Sequence, residues 1–179
     1  MEKQLFIGGF GGQGVAVMGK LIGKAATRDG LNASYFPEYG VQMRNGTTWA
    51  TVITSDAAIP SVCLSKFEYM AVMDKVTYHD QRQRIIPGGT MVLNTSLVKD
   101  TVDRDDITVY YVPVNDIAAE LGNDKTANIV MLGAIWAATQ MCSKENLISE
   151  IEAMFVGKEK VIELNKKAFD KGAQCVLRN

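Results

Sequence analysis

The reading of the chain turns on Gly8-Gly9-Phe10-Gly11-Gly12-Gln13-Gly14. Residues 9–14 match G-x-G-x-x-G, and the match has the flanks such a loop requires. Ahead of it, residues 4–8 are a short apolar run that reads as a strand. Behind it, residues 13–28 set Val15, Met18, Leu21, Ile22 and Ala25 at helical spacing, and Gly30 supplies a stop signal. In such a loop one glycine allows a tight turn, a second lets the backbone approach a ligand, and a third lets the helix pack near the strand. The helix start offers unpaired N–H groups and a partial positive charge to an anion. Two readings fit. Gly9, Gly11, Gly12, Gln13 and Gly14 form either an anion or nucleotide site, or only a strand–helix corner of an α/β fold.

Working outward, 7 of the 16 glycines fall in the first 23 residues of a 179-residue chain that is otherwise unremarkable. Its hydrophobic content of 47% and charged content of 22% are those of a globular protein and exclude disorder as the main state. The length suits a single domain, residues 1–179. A net charge of −1 does not suggest nucleic acid as a partner. The longest uncharged stretch, residues 126–143, reads as a buried helix of a soluble domain, so no membrane partner is expected. Cys63, Cys142 and Cys175 are scattered and odd in number, and there is no CxxC. A structural zinc or iron–sulfur cluster needs about four clustered ligands, so this chain is expected to hold no metal. The same pattern fits a reducing cytoplasm.

Downstream, residues 33–36 read as a second strand, closed by Pro37. Residues 47–55 alternate and are β-branched, which predicts a strand with two distinct faces and no helix before it. Residues 59–64 read as a further short strand. Residues 69–73 and 90–93 read as buried strands that end at Asp74 and Asn94, with Pro87-Gly88-Gly89 as a turn between. Residues 107–112 form one more strand-like run. Helical patterns cover residues 76–84, 116–121 and 126–141. An amphipathic helix follows, with Ser143 as its N-cap, and residues 158–171 form a last helix stopped by Gly172. The pattern predicts an α/β, Rossmann-like fold. Its sheet is mainly parallel with helices on both faces, and a hairpin or mixed-sheet insertion follows the second strand.

The second concentration of interest is the loop after the second strand, where Glu38, Tyr39, Gly40, Arg44, Asn45 and Gly46 lie within nine residues. In open α/β sheets, loops at the carboxyl ends of strands form the ligand crevice, so this loop is expected beside the glycine-rich one. Arg44 suits bidentate pairing with a carboxylate or phosphate. Glu38 stands 24 residues past Gly14, near where a dinucleotide fold places its ribose-binding carboxylate, but beyond Pro37. Asp74 and Asn94 end strands on the same side and are read either as contacts to a ligand or partner, or as caps.

With these stretches in hand, the chain resembles the gamma subunit of the 2-oxoacid:ferredoxin oxidoreductases, which act on pyruvate, 2-oxoglutarate or ketoisovalerate. The resemblance rests on GGFGGQG at residues 8–14, on residues 37–46 with Tyr39-Gly40 and Arg44, and on residues 51–55. Asn128, Leu132-Gly133-Ala134, Asn165 and Ala168-Phe169 carry it through the carboxyl third. Two positions depart from the family's usual Tyr-Gly-x-Glu-x-Arg-Gly-Gly: Gln42 replaces the Glu, and Asn45 the first Gly. The resemblance implies an enzyme that converts a 2-oxoacid and coenzyme A to acyl-CoA and carbon dioxide and reduces ferredoxin. It implies thiamine diphosphate, magnesium and iron–sulfur clusters on partner subunits, none of them bound by this chain. It implies alpha, beta and ferredoxin-like delta partners in a hetero-oligomer, with coenzyme A as a ligand of the interface. The isolated chain is then expected to be inactive and able to pair with a second copy.

The alternative is a free-standing dinucleotide-binding module or dehydrogenase. Against it stand the misplaced acidic residue and the absence of an evident acid–base pair for hydride transfer.

Overall fold

The computed structural model describes residues 1–40 and 46–177. Its centre is β1 (Lys3–Phe10), buried on both faces. Leu5 and Ile7 point into one apolar cluster and Phe6 into another on the opposite side. Glycines end the strand, and α1 (Val15–Arg28) carries the chain back across the sheet. Gly30 takes the left-handed conformation that ends this helix, with φ +82°. The chain then forms β2 (Asn32–Tyr39), and β3 (Thr47–Ser55) returns antiparallel to it.

Four elements complete the sheet region. They are β4 (Phe67–Val72), α2 (Lys75–Gln81), β5 (Ile85–Asn94) and β6 (Thr108–Val112). The strand order is β2-β3-β1-β4-β5-β6. β3 runs against the other five strands and stands between β2 and β1, paired with both. The three ladders beyond β1 are parallel. The sheet is therefore mainly parallel, with the insertion expected after the second strand.

The helices are divided unequally between the two faces. One face carries α1, α3 (Val114–Glu120), α4 (Ala127–Thr139), α5 (Lys144–Met154) and α6 (Glu159–Leu177). The other carries α2 and the segment from Val98 to Ile107, closed over Phe6, Phe67 and Met91. α4 is buried almost all round, between the sheet and α6, so its polar content is low. No helix among the described residues is long and apolar enough to cross a membrane. Ser143 caps α5 by accepting from the Asn146 N–H at 3.3 Å.

Four local expectations are corrected. Pro37 does not close β2: the ladder runs on through Glu38 and Tyr39, because β2 is an edge strand where a missing N–H costs no ladder bond. Residues 59–64 form no strand; they cross the sheet face as irregular chain. Pro87-Gly88-Gly89 lies inside β5, where the register to β4 shifts between Phe67 and Tyr69. Gly88 there has φ +78° and donates to Asp106 O at 2.7 Å.

Gly172, finally, is not a stop but an interior residue of α6. A Cβ on Gly172 would fall on the Val130 carbonyl, and one on Gly133 on the Phe169 carbonyl. These two glycines set how closely α4 and α6 cross. A Gly172→Ala substitution gains helix propensity yet forces the helices apart. It should lower stability by about 3 kcal/mol, the upper range for overpacking a core. Denaturant unfolding checks this, and Gly23→Ala, inside α1 where the nearest neighbour would be Tyr35 Cβ at 3.6 Å, serves as the comparison.

Candidate functional site

The glycine-rich turn lies at the carboxyl end of β1 and is held from three directions. Gln13 N–H donates to Phe10 O at 3.1 Å, and the Gln13 side chain accepts from Phe10 N–H at 2.7 Å, closing the turn on itself. Gly11 N–H donates to Gly46 O at 2.9 Å, which ties the turn to the loop before β3. Gly14 begins α1 at φ +76° and lies against the Asn128 side chain, leaving no room for a Cβ. Gly9 has no room either, facing Met73 Cβ and the Gln13 amide. Gly12, at φ +101°, faces open space.

In front of this turn is a depression of about 270 Å³. Gly12, Gln13 and Gly14 form one wall, and Asp124, Lys125 and Asn128 face them. α1 has no side-chain cap at its start and no acidic residue in its first turn. α4 continues a 3-10 turn, residues 124–126, whose start the Asn123 side chain caps by accepting from the Lys125 N–H at 3.1 Å. The open start of α1, with its partial positive charge, thus faces the turn that leads into α4. Lys125 adds a full one. The Asp124 carboxylate is the opposing charge.

A chain of hydrogen bonds supports the floor. Met73 N–H donates to Gly8 O at 2.9 Å. The fully buried Asn94 amide donates to Met73 O at 2.9 Å and to Asn115 Oδ1 at 2.8 Å. Its oxygen accepts from Val114 N–H at 3.3 Å. Asp74 is also buried, and its two oxygens accept from the Thr77 N–H and hydroxyl, each at 3.0 Å, capping α2. Asp74 and Asn94 therefore hold strand ends and helix starts in place behind the turn.

Glu38 is brought to neither. It lies on β2, with β3 between it and β1, so its strand is about 10 Å from β1 rather than the usual 5 Å. It lines a different groove, beside Phe36 and Trp49. Gly40 N–H donates to Thr47 O at 2.8 Å, and Tyr39 is exposed. Arg44 and Asn45, with Gln42, lie outside the described residues. Among the described residues, no group of three or more His, Cys, Asp or Glu side chains could hold a metal ion.

A sequence profile of the pyruvate ferredoxin/flavodoxin oxidoreductase family matches residues 4–175. The chain belongs to that family. One relative, the ketoisovalerate oxidoreductase subunit VorA of Methanothermobacter marburgensis, is 29% identical over 179 residues. The match covers 99% of this chain, which spans only 37% of VorA's length. Among solved structures, the gamma subunit of a keto/oxoacid ferredoxin oxidoreductase from Geobacter sulfurreducens is 26% identical, with a TM-score of 0.84 and 99% of each chain covered. The 2-oxoglutarate:ferredoxin oxidoreductase of Magnetococcus marinus, solved with 2-oxoglutarate, coenzyme A and succinyl-CoA, superposes with a TM-score of 0.92. At 23% identity, over 99% of this chain and 31% of that one, it shows the shared fold.

Within the family's fold, the glycine turn is the part that sequence reasoning located. Lys125, Asp124 and Asn115 were missed as site residues. The only signal for Asp124 and Lys125 was the polar run Asn123-Asp124-Lys125-Thr126 just ahead of an apolar helix, and Asn115 had none. Asn94→Ala should destabilise the chain by about 3 kcal/mol, because it strands several buried polar groups at once. Asn128→Ala, at a partly exposed position, should cost under about 0.5 kcal/mol. Thermal unfolding of the two variants checks the contrast.

Proposed function

We propose that this chain is the gamma subunit of a multisubunit 2-oxoacid:ferredoxin oxidoreductase. The complex joins a 2-oxoacid's acyl group to coenzyme A, releases carbon dioxide and passes two electrons to ferredoxin. Thiamine diphosphate, magnesium and the iron–sulfur clusters belong to alpha, beta and delta companions. Residues 1–179 act as one domain, and the scattered thiols suit a reducing cytoplasm.

The observation that carries the reading is the depression between the glycine turn and α4. The open start of α1, the turn that leads into α4 and Lys125 converge there, an arrangement suited to phosphate oxygens. Two participants in this reaction bring a diphosphate, thiamine diphosphate and coenzyme A, and with the thiamine cofactor assigned to a companion, coenzyme A is the one left to this chain. We assign its phosphates to this depression, with the thiol end reaching toward the thiamine-bearing companion. The chain's own residues then bind and orient. Gly12, which faces open space, allows close approach of backbone, and Lys125 supplies charge. The separation of Glu38 from the turn weighs against the dinucleotide alternative, which needs a carboxylate on the neighbouring strand.

The test is reconstitution with co-expressed companions, following ferredoxin reduction. Omitting this chain should abolish coenzyme A-dependent turnover. Lys125→Ala should raise KM for coenzyme A about tenfold with kcat nearly unchanged, as expected when one charge-assisted contact made equally in ground and transition states is lost. With pantetheine as acceptor, which lacks the phosphates, the substitution should have no effect. Tight NAD binding by the isolated chain, or an unchanged KM for coenzyme A in Lys125→Ala, contradicts the reading.

A further inference from the structure

One half of the sheet lacks a cover. α1 closes β2 and β3 from one side, through Ala50, Val52 and the ring of Tyr35. On the other side, Phe36 and Glu38 of β2 are exposed, whereas on β3 Trp49 is half-buried against the Phe6 cluster and Thr51 is buried. The irregular chain at Val62, Cys63 and Leu64 crosses nearby and leaves a groove of about 370 Å³. Phe36 is 48% exposed and Val62 42%, so apolar side chains line open surface.

Arg84 closes the groove's end. Its guanidinium lies over the Phe67 ring at 4.8 Å and the Phe6 ring at 5.3 Å. It donates to Leu64 O at 2.7 Å, to Ser65 O at 3.2 Å and to the Gln81 side chain at 3.0 Å. All three acceptors are neutral. Among the described residues no carboxylate forms an ion pair with it, and Glu38 lines the same groove unpaired. An oriented cation without a counter-ion, ringed by aromatic and aliphatic side chains, has the composition of an interface centre, where Trp and Arg are enriched.

We propose that this uncovered face of β2 and β3, centred on Phe36, Trp49 and Arg84, is where a catalytic companion subunit docks, seating apolar side chains around a carboxylate that pairs with Arg84. The inference rests on the reading of the chain as a subunit. The occupant is a protein rather than a small ligand because the groove is open along an edge strand, where a flat partner surface can lie across Phe36 and Val62 together.

Cys63 lines the groove and is exposed, whereas Cys142 is buried and its thiol is pushed up to about 12, mainly by burial. Maleimide labelling at neutral pH, with peptide mapping at Cys63, therefore reports on the face. Cys63 should label readily in the isolated chain and severalfold more slowly in the complex assembled with alpha, beta and delta companions. Phe36→Glu and Val62→Asp change exposed side chains, and circular dichroism should show their fold retained. Both should weaken assembly at least about tenfold. Lys20→Glu, on α1 across the sheet, should assemble normally. If Cys63 labels equally in an assembled complex, or Phe36→Glu assembles with unchanged affinity, the docking face is overturned while the subunit reading stands. Failure of the unmodified chain to join its companions overturns both.

Discussion

The ladder that runs from Lys3 opposite Thr54 to Phe10 opposite Thr47 sets the character of this molecule. It places an antiparallel strand where a dinucleotide-binding fold keeps the second parallel strand beside the first. The glycine turn at the end of β1 survives this insertion, because its geometry is local. The carboxylate that would complete a ribose site does not, because it travels outward with β2. The same ladder also widens the sheet beyond the reach of α2 and the chain around Val98, which leaves the β2–β3 face open on one side. Both the proposed phosphate depression and the proposed docking face thus trace to one strand's position.

Close packing does the rest of the positioning. Gly133 and Gly172 let α4 and α6 cross with backbone nearly in contact, and this fixes where α4 begins. Its first residues, with Lys125 just ahead, are thereby aimed at Gly14, where Asn128 fills the space a Cβ would need. Behind the turn, the buried Asn94 amide links β4, β5 and α3 through Met73 O and Val114 N–H. Leaving such groups unpaired in a dry interior is costly, so the link resists loosening. The carboxyl end of the sheet is rigid where a ligand's phosphates would rest.

What could be read from the sequence was what local chemistry dictates. The glycine turn, α1 with its stop at Gly30, the two-faced strand at residues 47–55 and the Ser143 cap all depend on neighbours in the chain. Pro37 and Pro87-Gly88-Gly89 misled because strand-breaking residues are tolerated at an edge or a bulge, which only the assembled sheet defines. Gly172 misled because a glycine that stops a helix and one that admits a second helix look alike in sequence. The depression itself was illegible, since Gly14 stands about a hundred residues ahead of Asn115 and Lys125 and meets them only through the α3–α4 corner. The resemblance pointed to the family but not to this geometry.

The central claim is that the glycine turn and the start of α4 together hold the phosphates of coenzyme A inside an assembled oxidoreductase. The most direct measurement is a cryo-electron microscopy map of the complex with coenzyme A bound. The account predicts density for the diphosphate in the depression, within hydrogen-bonding reach of the Gly12–Gly14 backbone and the Lys125 ammonium. Density for the diphosphate elsewhere, with the depression empty or filled by a companion's side chains, would contradict it.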